Sequence, residues 1–185
     1  GIVERFGRPR IMLIGDVMVD EYIYGDAERL SPEAPVPVLQ ERYREQRAGG
    51  AGNVAAGLAA LGAEVLCVSV CGDDTQAGLL RELFGKMGVR TEGILQCSER
   101  PTTSKIRLVG LAQHRHPQQM LRLDRESAQP LSAAQEAELL AYVQRELPGC
   151  AAVALEDYDK GLLAPDFCRA AVTIVSPELP VWAHS

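Results

Sequence analysis

The chain has 185 residues, of which 46% are hydrophobic and 24% are charged, and its formal net charge is -6. This composition is typical of a globular domain, and the negative charge argues against a nucleic-acid surface, which would need clustered Lys and Arg. No apolar run reaches the roughly 18 to 20 residues that cross a bilayer, so no membrane span is predicted. The five cysteines include no CxxC pair, which argues against disulfides or zinc and favours a reducing cytoplasm.

The first half of the chain alternates between buried strands and helices. An apolar run at 10–19 predicts a strand buried on both faces, which we expect near 10–16 in the parallel sheet. Residues 36–47 mix apolar and charged side chains, as a half-exposed ribbon does. A glycine-rich start and an Ala- and Leu-rich body predict a helix within 49–62, which is followed by a second buried strand at 64–71. An amphipathic helix at 75–87 ends this half.

The second half begins with short alternating strands within 102–124. A helix then follows at 131–147, where Ser132 and Gln135 have the spacing of a capping box. A third buried strand is predicted at 151–155.

Near the end of the chain we expect a short helix at 164–172 and a possible fourth strand at 172–175. Buried strands that alternate with helices predict an α/β fold, in which a parallel sheet is flanked by helices. The polar ribbons at 36–47 and 102–124 predict a β-strand flap outside that sheet.

One glycine run matches the dinucleotide fingerprint G-x-G-x-x-G/A at Gly50, Gly52 and Ala55, with Asp73 about 20 residues on. The fingerprint requires a buried strand before it, but the preceding residues are polar. The alternative is that the glycines let a helix begin close to a neighbouring backbone.

Three acids, Asp16, Asp20 and Asp26, lie around the end of the first strand. The carboxyl ends of parallel strands face the ligand crevice, where a carboxylate can accept hydrogen bonds from a polyol. Turn formation by Asp explains the same residues. Asn53, at the start of the first helix, could similarly cap the helix or reach a ligand.

Cations and a polar loop complete the candidates. Lys105 and Arg107 alternate onto one face of a flap strand, and with Arg122 they could hold a phosphate or simply be solvated. The loop at 156–161 follows a buried strand and could position a phosphate, or it could be an ordinary polar loop. His114 and His116 have no third ligand nearby, so no metal site is predicted. We expect Asp20, Asn53, Lys105 and Lys160 to converge on one cleft.

Five segments stand out in order along residues 11–161: IMLIGDVMVDEYIYGDAERLSPEAPVPVL, GGAGNVAAGLAALGAEV, PTTSKIRLVG, QQMLRLDRE and EDYDKG. Together they resemble the heptose 7-phosphate kinases of the ribokinase/PfkB family, over a match that begins at about Arg10. The resemblance implies a ribokinase-like fold and a kinase that uses ATP and Mg²⁺ to phosphorylate the anomeric hydroxyl of heptose 7-phosphate. That product serves ADP-heptose and lipopolysaccharide synthesis. The resemblance also implies a homodimer formed through the flap.

The resemblance further implies roles for individual residues. Asp20 and Asn53 would hold sugar hydroxyls, and Gly49 and Gly50 would form a hinge between flap and sheet. The remaining substrate contacts, mainly to phosphate, would be Lys105, Arg107, Asp157 and Lys160.

After Gly161 the sequence is expected to depart from the family. No match is found for its adenine pocket or its Gly-Ala-Gly-Asp run, which carries the catalytic base. Residues 1–185 are therefore interpreted as the N-terminal portion of a kinase domain, without a catalytic residue and inactive alone. Two alternatives are another ribokinase-like sugar kinase and a non-catalytic remnant that binds sugar phosphate or dimerises.

Overall fold

A computed structural model describes residues 7–112, 115–175 and 179–184. Its helices and strands follow the alternation that the sequence predicts. In chain order they are β1 (Arg10–Gly15), β2 (Val17–Leu30), β3 (Pro37–Gly50), α1 (Ala51–Ala60), β4 (Glu64–Cys71), α2 (Thr75–Met87), β5 (Arg90–Gln96), β6 (Ser104–Ala112), β7 (Arg115–Arg125), α3 (Ala133–Glu146), β8 (Ala152–Glu156), α4 (Pro165–Ile174) and β9 (Val181–His184).

The strands form two sheets. The main sheet has the order β5-β4-β1-β8-β9 and all of its pairings are parallel. The second sheet has the order β3-β2-β6-β7 and is the predicted flap. Its central pair, β2 and β6, is parallel, whereas β3 and β7 run antiparallel to their neighbours. The α/β fold with a separate flap is therefore confirmed.

The central strands of the main sheet, β1 and β4, carry apolar side chains on both faces, and helices bury both faces. One face packs against α3 and α4 around Phe167, and the other packs against α1 and α2 around Phe84. The capping box of α3 is present, with Ser132 and Gln135 each bonding the other's backbone. The local sequence signals therefore correctly locate these helices.

The main-sheet strand expected near 10–16 is present as β1, but the apolar run at 10–19 is not one strand. β1 ends at Gly15, and the chain passes through Asp16 into β2, which belongs to the flap. The backbone N–H of Asp16 donates to the carbonyl of Glu156, while its carbonyl accepts from Ala51, so the chain is tied to β8 and α1 where it leaves the main sheet. An apolar run of ten residues conceals this change of sheet because both strands are buried there.

The predicted fourth strand at 172–175 is also wrong. Residues up to Ile174 belong to α4, in which Phe167 and Ala171 lie one turn apart and are both buried. The strand that pairs with β8 is instead β9. No helix within the described ranges is long and apolar enough to cross a membrane.

The glycine run does open a helix, but not in a dinucleotide-binding unit. The strand before α1 is β3, an edge strand of the flap that runs antiparallel to β2. A Cβ on Gly52 would lie 2.9 Å from the Cβ of Ala48 and 3.3 Å from the ring of Phe84. The glycine therefore allows the close helix approach that was the alternative reading.

Candidate functional site

A cleft of about 370 Å³ lies where the flap meets the main sheet. We call it the flap cleft. Strands β2, β3 and β6, the first turn of α1 and the loop after β8 all contribute to it. Its lining residues are Met18, Asp20, Tyr22, Arg47, Ala48, Gly50, Asn53, Lys105, Arg107 and Tyr158.

Strand register explains why these side chains meet. Successive side chains of a strand point to opposite faces, so Asp20 and Tyr22 of β2 share the cleft face. Asp20 lies opposite Arg47 on one side and Lys105 on the other, and Tyr22 lies opposite Arg107. The flap therefore assembles an acid, an aromatic ring and three cations from three neighbouring strands.

Asp20 is held by its surroundings on both sides. Its Oδ1 accepts a hydrogen bond from Nη1 of Arg107 at 2.5 Å, and its side chain is only 21% exposed. Its Oδ2 occupies the space above Gly49, where any Cβ would overlap it. Gly49 is therefore required for space and not for its backbone conformation, since its φ lies outside the left-handed region.

Gly50 has a different requirement. Its φ of 57° lies in the left-handed region, which side chains rarely adopt. A Cβ there would also lie 2.5 Å from the carbonyl oxygen of Asp16. Gly50 therefore sets the turn from β3 into α1, and the hinge that the resemblance implies for this pair stays a prediction.

Asn53 lies exposed in the first turn of α1. The N-cap is Gly50, and no side chain caps this helix. The capping role considered for Asn53 is therefore wrong. Within the part of the chain that the structure describes, no hydrogen bond involves the Asn53 amide, so both its donor and acceptor groups can meet a ligand in the flap cleft.

The cations of the cleft differ in their partners. Arg47 pairs with Glu45 at 2.6 Å and lies over the Tyr22 ring, 5.7 Å from its centroid. Arg107 also lies over that ring, at 4.9 Å. Burial lowers the pKa of Arg107. The hydrogen bond and the charge of Asp20 oppose this effect, and the pKa of Arg107 lies above its ordinary value. Among the described residues, Lys105 has no ion-pair partner.

Arg122, the third predicted flap cation, does not line the cleft. It lies opposite Arg107 on β7 and pairs with Asp124 at 2.8 Å. Its guanidinium is thus held by a neighbour on its own strand.

The structure places Lys160 outside the cleft lining, contrary to its predicted convergence with Asp20, Asn53 and Lys105. Asp157, for which the resemblance implies a substrate contact, does not line the cleft either. The Nζ of Lys160 lies 3.2 Å from Glu126, at the end of the flap. Asp157 accepts a hydrogen bond from the backbone of Asp159. From this loop, Tyr158 reaches the cleft instead.

Asp16 explains how that loop is held beside the flap. Its buried Oδ2 accepts hydrogen bonds from the backbone N–H groups of Tyr158, at 2.9 Å, and Lys160, at 3.1 Å. Burial raises the pKa of Asp16, and the two hydrogen bonds oppose this shift. The three acids predicted around the end of the first strand therefore have different roles. Asp16 positions a loop and Asp26 pairs with Arg42. Of the three, only Asp20 lines the cleft.

Reasoning from the sequence missed Tyr22, Arg47 and Tyr158. Tyr22 could have been found, because it lies two residues after Asp20 in what proves to be one strand. Arg47 and Tyr158 reach the cleft through strand pairing and loop placement, for which the local sequence carries no signal. His114 lies outside the described residues. Within the described ranges, no three His, Cys, Asp or Glu side chains are grouped to hold a metal ion.

The sequence pattern of the pfkB family carbohydrate kinases matches residues 8–153. The chain belongs to this family. It is 41% identical over 181 residues to the bifunctional protein HldE of Hyphomonas neptunium, covering 98% of this chain and 36% of that protein. It is 43% identical over 176 residues to the HldE of Pelobacter propionicus, covering 95% of this chain and 35% of that protein. The chain thus spans about a third of the length of these curated relatives.

This coverage corrects one expectation. The predicted fading of the resemblance after Gly161 is wrong, because the alignment with the Hyphomonas protein covers 98% of the chain. The expected lack of the segment with the catalytic base stays a prediction.

Solved structures share the fold at low sequence identity. A carbohydrate kinase from Agrobacterium tumefaciens has a TM-score of 0.66 at 21% identity, covering 95% of this chain and 53% of that one. A ribokinase from Arabidopsis thaliana, complexed with ribose and ATP, has a TM-score of 0.62 at 19% identity with the same coverage. The described residues therefore correspond to about half of a ribokinase-like fold.

Proposed function

We propose that this chain supplies the sugar-phosphate-binding part of an ATP- and Mg²⁺-dependent kinase that phosphorylates the anomeric hydroxyl of heptose 7-phosphate, for ADP-heptose and lipopolysaccharide precursor synthesis. The observation that carries the proposal is the flap cleft, where Asp20, Asn53, Lys105 and Arg107 come together. The similarity to HldE proteins and the heptose-kinase segments of the sequence support the choice of sugar.

The chemistry of the cleft fits a phosphorylated polyol. A carboxylate such as Asp20 can accept hydrogen bonds from vicinal hydroxyls, and the Asn53 amide can both donate and accept. Three cations line the cleft with a single carboxylate, so the local charge favours an anion. Charge-assisted hydrogen bonds from Arg and Lys are the strong contacts for a phosphate. Neutral sugars would leave these cations unused.

The nucleotide and its magnesium are proposed from the family and not from a binding site. We assign no magnesium ligand to this chain. Phosphoryl transfer also requires a base near the attacking hydroxyl and groups that stabilise the transferred charge. The resemblance assigns both to a segment that residues 1–185 do not match. We therefore propose that this polypeptide alone binds heptose 7-phosphate and does not transfer phosphate to it.

We also propose that the chain forms a homodimer through the outer face of the flap, opposite the cleft. Register places Ile23, Ile106, Leu108, Leu121 and Leu123 on this face. Leu121 and Leu123 are 58% and 57% exposed, and burying them against a second copy would remove apolar surface from water. A cytoplasmic location is proposed from the five cysteines, all of which are free.

Titration calorimetry with heptose 7-phosphate tests the proposed function. The wild-type polypeptide is expected to bind this ligand, and Asp20→Ala and Asn53→Ala are each expected to weaken binding at least tenfold. Asp157→Ala serves as a matched control, because it removes a carboxylate that does not line the cleft. With Mg-ATP added, no ADP should be released above a buffer blank. Failure of the wild-type protein to bind heptose 7-phosphate would contradict the proposal.

A further inference from the structure

Two residues that the proposed function requires for different parts of the ligand are bonded to each other. Asp20 is proposed to hold sugar hydroxyls and Arg107 to hold the phosphate, yet Nη1 of Arg107 lies 2.5 Å from Oδ1 of Asp20. Their side chains are 18% and 21% exposed. Each group thus satisfies the other in the partly buried wall of the cleft.

A neutral sugar cannot easily replace this ion pair. Its hydroxyls could donate to Asp20, but the Arg107 guanidinium would then lose its anionic partner in a partly buried site. Leaving one member of such a pair uncompensated is costly, and a hydrogen bond from a neutral hydroxyl does not restore the lost charge interaction. The pair therefore opposes the binding of unphosphorylated sugars.

A phosphate can replace Asp20 as the partner of Arg107. It brings negative charge and several acceptor oxygens, and guanidinium–phosphate contacts are charge-assisted and often bidentate. Lys105 lies opposite Asp20 on the same face and can share the phosphate. Arg107 does not have to leave the cleft, because the Tyr22 ring supports its guanidinium at 4.9 Å.

We propose that Arg107 is a phosphate-operated latch on Asp20, and this inference rests on the proposed function. Without phosphate, the latch keeps the Asp20 carboxylate paired. When the phosphate of the ligand takes Arg107, Asp20 becomes available for hydroxyls. Arg107 is thus a specificity-determining residue that makes recognition of the two ends of the sugar phosphate interdependent.

The coupling must be reciprocal. If bound phosphate raises the affinity for a sugar by some factor, bound sugar raises the affinity for phosphate by the same factor. Inorganic phosphate and unphosphorylated heptose can therefore serve as the two halves of the ligand. The test measures heptose binding by calorimetry, with and without saturating phosphate, at ionic strength matched with chloride.

In the wild-type protein, phosphate is expected to strengthen heptose binding at least tenfold, and heptose to strengthen phosphate binding equally. In Arg107→Met, heptose should bind equally with and without phosphate, and without phosphate it should bind more tightly than to wild type.

Arg122→Met is the matched control: it removes an arginine from the same flap face, leaves the Asp20 pair intact and should behave as wild type. Thermal unfolding of each variant verifies that it is folded, and Arg107→Lys, which keeps the charge, should show a reduced but measurable coupling.

Two failures are distinguishable. If wild-type protein binds heptose 7-phosphate but its heptose affinity does not respond to phosphate, the latch is overturned and the proposed function stands. Weaker heptose binding to Arg107→Met than to wild type, without phosphate, would overturn it too, since Arg107 would then support Asp20. If heptose 7-phosphate itself does not bind, the proposed function fails and the latch with it.

Discussion

The main sheet and the flap are stabilised in different ways. In the main sheet, β1 and β4 are buried on both faces between four helices, so hydrophobic burial holds them. In the flap, β2 and β3 are 14 residues long and carry many charged side chains. Their contacts include the Arg42–Asp26 pair and the Tyr24–Tyr43 stack at 4.6 Å. Exposed pairs of this kind each contribute little.

Most of the candidate ligand groups lie on the flap, where charged side chains are more frequent than in the main sheet. Asp20, Lys105 and Arg107 belong to the flap, whereas the main sheet and its helices hold Asn53 and the loop of Tyr158 beside it. Among the described residues, the flap joins the core only where β2 begins, at Val17 and Val19, and where β3 ends, at Ala48. Its outer part can therefore change its contacts with a ligand while the main sheet stays folded. We therefore expect mutations in the main sheet and its helices to change mainly the free energy of unfolding, and mutations in the flap to change mainly ligand affinity.

The largest expected effect is on the core. Phe84 is fully buried and contacts the start of α1, so Phe84→Ala should lower the free energy of unfolding by about 3–5 kcal/mol. Leu30→Ala, at the exposed far end of β2 in the flap, should lower it by less than about 0.5 kcal/mol. Urea unfolding measures both. Similar losses for the two variants would contradict the assignment of stability to the main sheet.

A smaller loss is expected at Asp16, which joins the two regions. Asp16→Ala removes two hydrogen bonds to a charged acceptor and should cost about 3 kcal/mol of unfolding free energy. Asp16→Asn should cost less, since its carbonyl can accept both bonds. Urea unfolding of the three proteins provides the comparison.

The same residue gives a pH dependence with a definite sign. Because burial raises the pKa of Asp16 in the folded state above 3.8, the folded protein binds the proton more tightly than the unfolded chain. Wild-type stability relative to Asp16→Asn should therefore increase as pH falls through the raised pKa toward 3.8, and decrease as pH rises. The opposite slope would mean that the hydrogen bonds outweigh burial.

Next in size is the contrast between two adjacent glycines. Gly50→Ala places a side chain at a φ of 57° and should cost about 2 kcal/mol of unfolding free energy. Gly49→Ala displaces the Asp20 carboxylate and should weaken heptose 7-phosphate binding at least tenfold, with the smaller loss of stability. Denaturation and calorimetry on both variants separate the two roles. Equal effects of both changes on binding would support a shared hinge instead.

How far the sequence predicts the fold depends on how local the signals are. The capping box of α3 and the periodicity of α2 are local, and both helices were correctly predicted. The change of sheet at Asp16 was missed because the apolar run, broken only by Gly15 and Asp16, marks burial but not the sheet in which a strand lies. The end of α4 was missed because the β-branched residues at 172–175 favour strands, while burial of Phe167 and Ala171 extends the helix.

The candidate site shows the same limit. Asp20, Asn53 and Lys105 were predicted to converge because strand ends and helix starts share one edge of a parallel sheet. They do line one cleft, although Asp20 and Lys105 belong to the flap and not to the main sheet. Arg47 could not be placed there from the sequence, since its position opposite Asp20 depends on the register of a long antiparallel pair. Lys160 was misplaced because its partner, Glu126, lies 34 residues earlier in the sequence and becomes its neighbour only in the fold.

The smallest expected effect concerns Lys160. Because it pairs with Glu126 outside the cleft lining, Lys160→Met should change heptose 7-phosphate affinity less than twofold. Lys105→Met removes a cation that lines the cleft and should weaken binding more strongly. Calorimetry on both variants makes the comparison, and a tenfold loss for Lys160→Met would show that the loop after β8 contacts the phosphate.

Hydrogen–deuterium exchange with and without heptose 7-phosphate tests most directly the claim that the flap binds the ligand while the main sheet provides stability. The ligand should slow exchange in the segments that line the cleft, at 18–22, 47–53, 105–107 and around Tyr158. Exchange in β5, at the far edge of the main sheet, should not change. Protection centred on β5 and α3, with the flap unaffected, would contradict the account.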